Sequence, residues 1–295
     1  LKRIFIIIGI FSLILIFGCH KNKAPKRAEP IELTSVEELY EKGQTYIKKH
    51  RTQTARKYFE QITLREDAKD YGPKAEVAIA DSYFAEKNID SFANAISRYQ
   101  TFLSFHAMHP LAAYCQYQIG FCYYREVDKP DRDISPAVYS KDAFKKLIEN
   151  YPNSEYVADA KNKIKELDNV LAAHEVYIGD FYLRSSHPQG AKERYKSVLQ
   201  MYPDYWNIPL IHLRIAEAAN MEGNFDEARE HLNKVIEMSP DSKRAKEATK
   251  MMESLGKKEA KIAKKKLESP LKEKKLPDID KPKENKKRWW MFWRR

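Results

Sequence analysis

The chain has 295 residues, is 43% hydrophobic and 32% charged, and carries a formal net charge of +11 that is concentrated at its ends. Residues 257–295 hold sixteen Lys and Arg against six acids and residues 1–27 hold six with no acid, which leaves residues 28–256 at −5. A mildly acidic body excludes a fold that grips nucleic acid through a basic surface. Only nine glycines and no sustained apolar–polar alternation exclude a β-rich one.

Lys2 and Arg3 precede an uncharged run from Ile4 to Phe17. That is the layout of a secretory signal, shorter than the about 20 apolar residues that span a membrane; an uncleaved signal anchor is the competing reading. Ile16-Phe17-Gly18-Cys19 resembles the bacterial lipobox, whose cysteine receives a diacylglyceryl group and becomes the N-terminus after cleavage. Residues 1–18 are therefore expected to be a lipoprotein signal peptide, Cys19 the lipidation site, and residues 19–34 a tether. With His20 rather than aspartate after the cysteine, the resemblance implies the outer membrane.

From Leu39 onward the residues Leu39, Gly43, Tyr46, Ala55 and Phe59 have the spacing of a tetratricopeptide repeat. Ala80 and Tyr83 continue it, then Gly120 and Tyr123, then Gly179, Tyr182, Ala191, Tyr195 and Pro203, then Ala216, Ala228, Leu232 and Pro240. Small residues let the two helices of a pair approach, aromatic rings fill the space between them, and proline ends the second helix. One pair cannot bury its apolar face alone, so about five pairs are expected to stack into an all-α, right-handed superhelix. Tyr46, Tyr83 and Tyr123 lie on first helices, where they either line a groove for extended aromatic peptides or fill the core.

Cys115 and Cys122 are seven residues apart in a helical pattern, about 10 Å of rise, which is beyond the reach of a disulfide. They read as buried apolar residues. The stretch between Tyr123 and Phe144 contains two prolines and is too long for an ordinary helix turn. From Pro152 the apolar residues Val157, Ala160, Ile164, Leu167, Leu171 and Ile178 predict one long helix or two nearly continuous ones. The body is divided there, into N-terminal repeats over 35–152 and C-terminal repeats over 153–256.

Signs of catalysis are weak. Glu253-Ser254 resembles the catalytic pair of lytic transglycosylases but lacks the enclosing domain that would perturb its acid, and a helix end closed by Gly256 is the better account. His106 and His109 have no third ligand nearby and read as a turn. No phosphate-binding loop, nucleophile elbow or dinucleotide fingerprint is present. The chain is expected to be no enzyme and to need no metal or cofactor.

Residues 257–295 are expected to form a basic tail that runs as a solvated linker from Gly256 to Trp289 and ends in KKRWWMFWRR. Trp289, Trp290, Phe292 and Trp293 among cations suit the headgroup layer of an anionic membrane. Their rival role is an anchor peptide for a partner's groove.

The order of a lipobox, five repeats, an acid-rich DRD insertion in the third, YPNSEY, LAAHEVYIGDFYL and AKERYKSVLQMYPD resembles the lipoprotein-subunit family of the outer-membrane β-barrel assembly machinery, over about residues 14–245. The long tail has no counterpart in its better-known members. The resemblance implies a lipid-anchored adaptor on the periplasmic face of the outer membrane. Its N-terminal repeats would receive the C-terminal strand signal of unfolded outer-membrane proteins, and its C-terminal repeats would dock a POTRA domain of the barrel-forming subunit. Within AKERYKSVL, Arg194 aligns with an arginine that pairs with a POTRA acid; without the family it is an exposed helix arginine. The alternative is another periplasmic tetratricopeptide lipoprotein, such as a pilotin or a cell-wall coordinator. The DRD insertion and YPNSEY favour the first.

Overall fold

The computed structural model describes residues 34–268. Cys19 and the rings of Trp289, Trp290, Phe292 and Trp293 lie outside the described residues. Among the described residues there is no strand, and eleven α-helices form five consecutive pairs and a final single helix. The pairs are α1 (Val36–Lys48) with α2 (Thr52–Thr63), α3 (Tyr71–Phe84) with α4 (Ile89–Phe105), α5 (Ala112–Glu126) with α6 (Ser135–Asn150), α7 (Val157–Arg184) with α8 (Pro188–Met201), and α9 (Ile208–Glu222) with α10 (Phe225–Met238). The last helix is α11 (Lys243–Glu268).

Local signals set the helix ends. Ser35 caps α1 by accepting from the Glu38 amide at 3.1 Å, and Asn88 and Asn224 cap α4 and α10 in the same way. Pro188 and Pro209 sit in first turns, where no amide donor is needed. Gly223 ends α9 at φ 78°, a backbone region that glycine enters without penalty. Within a pair, the small first-helix residue meets the ring of the second helix. A Cβ on Gly120 would lie 2.7 Å from Phe144, and one on Gly179 would lie 2.5 Å from Tyr195.

The chain divides into two compact units, the first comprising residues 34–127 and 135–164, the second residues 128–134 and 165–268. The first is built on two clusters, Leu39, Phe59, Ile62 and Ile79 in one and Phe92, Tyr99, Phe102 and Ile119 in the other. The second unit is built on Tyr195, Val198, Ile211 and Ile215, and on Leu213, Leu232, Val235 and Leu255. Cys115 and Cys122 are free and buried in the first unit; burial pushes the Cys122 thiol up to about 12 and raises that of Cys115 as well.

Three local expectations are changed by the structure. The irregular stretch after Tyr123 shrinks to residues 127–134, because α5 continues to Glu126 and α6 starts at Ser135 with Pro136 in its first turn. One unbroken helix of 28 residues, α7, follows, and the change of unit falls inside it, between Ile164 and Lys165, rather than at the Pro152 break. Gly256 is no helix stop: α11 runs through it to Glu268. An interior glycine costs about 1 kcal/mol relative to alanine, and the Ala, Lys and Glu that follow are strong helix formers. Leu255, fully buried, fastens this stretch to the second unit.

Candidate docking surfaces

Arg194 lies on α8 in the second unit. Its Nη1 donates to Glu175 Oε2 on α7 at 3.1 Å, and 43% of its side chain is exposed. Glu175 therefore aims the guanidinium without covering it, and its remaining donors suit bidentate pairing with an incoming carboxylate. Beside it lies a groove of about 830 Å³ lined by Tyr182, His187, Pro188, Glu193 and Glu222 among others.

Charge pairs stiffen the floor of this surface. Lys192, only 11% exposed, reaches Glu222 at 2.5 Å and Glu227 at 2.8 Å, tying α8 to α9 and α10. Lys196 adds a contact to Glu227 at 3.0 Å, and the Lys192 hydrogen bond leads the effects that hold the Glu227 carboxyl below its ordinary range. Tyr195 donates to Asp180 at 2.7 Å. Arg214 lies 3.1 Å from the same carboxylate and 2.8 Å from Glu217. One element is thus bound to the next by paired charge rather than by apolar contact alone.

In the first unit Tyr46, Tyr83 and Tyr123 are each half-buried against their own neighbours. Tyr46 stacks on Tyr58 at 5.4 Å. Tyr83 lies under the Arg56 guanidinium at 4.0 Å and packs on both clusters of its unit. Tyr123 tilts against Tyr139 at 5.4 Å. No ring contact joins any two of these three among the described residues.

The rings that do come together lie on another face of α5. Tyr117 stacks on Phe121 at 5.9 Å and on Tyr156 at 5.0 Å, and Phe121 stacks on Tyr124 at 5.9 Å. Phe84 extends the row at 5.8 Å from Phe121, and the Lys163 ammonium lies 4.5 Å above Tyr124. All five rings are half-buried, a platform on which flat or aromatic groups can stack. Reading one tetratricopeptide position per repeat selects Tyr123 and passes over this row; the spacing Tyr117, Phe121, Tyr124 on one helix face was the available signal.

A second feature missed in the sequence is a half-buried carboxylate held by phenols. Asp81 accepts from Tyr99 at 2.5 Å and from Tyr114 at 2.9 Å, and Gln118 donates to the Tyr114 oxygen at 2.7 Å. Burial raises the Asp81 carboxyl, partly offset by the two phenol hydrogen bonds. The signal was present: where the ring opposite the small residue is tyrosine (Tyr99, Tyr195), the residue after the small one is aspartate (Asp81, Asp180). Where the ring is phenylalanine (Phe59, Phe144), it is Gln44 or Phe121.

A family model described as "Outer membrane lipoprotein" (YfiO) matches residues 33–222, and a tetratricopeptide-repeat model matches residues 212–242. The outer membrane protein assembly factor BamD of Rickettsia prowazekii is 26% identical over 235 residues, covering 79% of this chain and 92% of its own length. The protein of the same name from Xylella fastidiosa is 30% identical over 202 residues, covering 65% and 67%. That from Caulobacter vibrioides is 28% identical over 212 residues, covering 72% and 68%.

Proposed function

The chain belongs to the YfiO family of outer membrane lipoproteins, and on that premise we propose that it is a lipid-anchored, non-enzymatic adaptor in the assembly of outer-membrane β-barrel proteins. The single observation that carries this reading is the family match across residues 33–222, joined to relatives that all bear the name of an assembly factor. Association with the outer membrane and membership of a multi-subunit assembly complex follow from the family. Anchoring on the periplasmic face through Cys19 is the finer proposal, supported by the lipobox-like Ile16-Phe17-Gly18-Cys19.

The two units divide the work in this proposal. The second presents Arg194, oriented by Glu175, to an acidic group on a POTRA domain of the barrel-forming subunit. The first receives unfolded outer-membrane polypeptide, with Tyr46, Tyr83 and Tyr123 contributing ring edges and the Tyr117–Phe121–Tyr124 row supplying a stacking surface. The aromatic tail, through Trp289, Trp290, Phe292 and Trp293, is a second and weaker contact with lipid.

Cell fractionation of Cys19→Ala tests the anchor. One diacyl group buries many methylenes at about 0.8 kcal/mol each, more than exposed side chains supply. The variant is expected to leave the outer-membrane fraction of cells depleted of the barrel subunit; retention there would show that Cys19 is not the anchor.

A further inference from the structure

Three large apolar side chains in the first unit stand almost fully in solvent: Leu64 at 85% exposure, Phe105 at 78% and Met108 at 97%. They share one edge. Leu64 follows the end of α2 and Phe105 ends α4, and Thr63 and Phe105 line a common hollow of about 250 Å³. Met108 follows in the turn after α4 and lines the next hollow, about 350 Å³, against Asn150 and Tyr151 at the end of α6. The second-helix ends of two successive repeats thus carry a row of unsheltered apolar groups.

The N-terminal segment enters at this same edge. Arg65, the residue after Leu64, donates from Nη1 to the carbonyl of Thr34 at 2.7 Å, and Thr34 is itself buried. The chain from Cys19 to Thr34 is fifteen residues, so a lipid on Cys19 lies no more than about 50 Å from this corner even at full extension.

Shape and charge select the occupant. A peptide groove shelters its apolar groups between walls, as the half-buried rings of α5 are sheltered; Met108 borders its hollow yet stays 97% exposed. Protruding tips suit a medium that closes around them. Arg65 is paired with Asp67 at 2.6 Å and His106 lies beside Glu76 at 3.4 Å, and the protruding groups themselves are apolar, so the contact would be apolar rather than electrostatic.

We propose that the edge formed by Leu64, Phe105 and Met108 rests in the headgroup layer of the bilayer that holds the Cys19 lipid, setting the first unit's orientation to the membrane. The inference rests on the anchor proposed above. It fixes which end of each second helix faces lipid, since α4 spans about 25 Å from Ile89 to Phe105 and its start must then point away.

The test uses the full lipidated chain in phosphatidylethanolamine–phosphatidylglycerol vesicles that carry a nitroxide on the acyl chains. A fluorophore is placed singly at Leu64→Cys, Phe105→Cys or Met108→Cys, and at Asp90→Cys near the other end of α4 as reference; Cys115 and Cys122 are buried and Cys19 is blocked by lipid. Quenching at the three edge positions is expected to exceed that at the reference at least about threefold, as for groups seated about 5–10 Å into the interface. It should be unchanged by salt. Equal quenching at all four positions in a chain that floats with the vesicles overturns the orientation and leaves the anchor standing. A chain that stays in the aqueous fraction overturns both. A signal change at the edge on adding unfolded outer-membrane polypeptide without lipid would assign the edge to client binding instead, and the proposal would fall.

Discussion

Replacing Arg194 with alanine separates a structural from a docking role, because the two predict effects of different size. Within the protein, Arg194 holds Glu175 at 3.1 Å with 43% of its side chain exposed. An exposed pair of this kind contributes about 0.2–1 kcal/mol, which corresponds to no more than about 2–4 °C in Tm for a domain of this size. Truncating a guanidinium that is desolvated against a partner's carboxylate costs about 2–5 kcal/mol, or roughly 30- to 5,000-fold in Kd. The assay is titration of the purified chain, wild type and Arg194→Ala, against the periplasmic portion of the barrel subunit, with thermal unfolding in parallel. Expected is a small shift in Tm and a large loss of affinity. Charge reversal is a poorer probe, since Arg194→Glu sets a second carboxylate against Glu175. The exchange Arg194→Glu with Glu175→Arg rebuilds the internal pair while removing the docking charge, so it should recover Tm and not affinity. A Kd for Arg194→Ala within about threefold of wild type, less than 1 kcal/mol, would remove Arg194 from the interface.

Three further outcomes are expected. Gly179→Ala puts a methyl 2.5 Å from the Tyr195 ring and strains the Tyr195–Asp180 hydrogen bond; overpacking of this kind costs about 1–3 kcal/mol, read as a lower urea midpoint with unchanged slope. His212 and His231 share a buried Nδ1–Nδ1 contact of 2.7 Å, and burial drives both below their ordinary value, His212 to about 4. The unfolded chain then binds more protons below pH 6.5 than the folded one, so this contribution to stability is full above 6.5 and is lost as pH falls from 6.5 towards 4. Denaturation midpoints across that range should decline less in His212→Gln than in wild type, and parallel curves would show that the pair does not govern acid stability. Deleting residues 286–295 from Cys19→Ala chains should reduce flotation with anionic vesicles, and the part lost should be the part weakened by salt; equal flotation of both chains would leave the tail without a lipid role.

What the sequence discloses depends on whether a residue's environment is repeated. The all-α repeat architecture was legible because Gly43, Gly120 and Gly179 face Phe59, Phe144 and Tyr195 in the same way, and the first and last of these contacts keep one spacing in the sequence. Helix ends set by single residues were legible where the signal is local, as at Pro203 and Pro240, which follow the ends of α8 and α10. Gly256 looked the same on paper but sits where burial of Leu255 and a helix-forming run outweigh its weak preference. Propensity is decided by what the neighbouring turn buries.

Candidate docking residues were less legible, because the repeat that reveals the fold also conceals departures from it. Tyr46, Tyr83 and Tyr123 stand at equivalent positions, yet each meets a different neighbour: Tyr58, Arg56 and Tyr139. The stacked row of Tyr117, Phe121 and Tyr124 is confined to one helix and so adds nothing to a repeat profile. The aspartate–tyrosine pairs are an intermediate case. A phenol buried opposite a small residue needs an acceptor, and the first-helix residue beside that small position is the nearest place to supply one. Asp81 and Asp180 therefore accompany Tyr99 and Tyr195, whereas Phe59 and Phe144 make no such demand. Departures from a repeat that travel in pairs are thus readable as chemistry, while the docking proposed for Arg194 turns on a partner surface that its own chain does not contain.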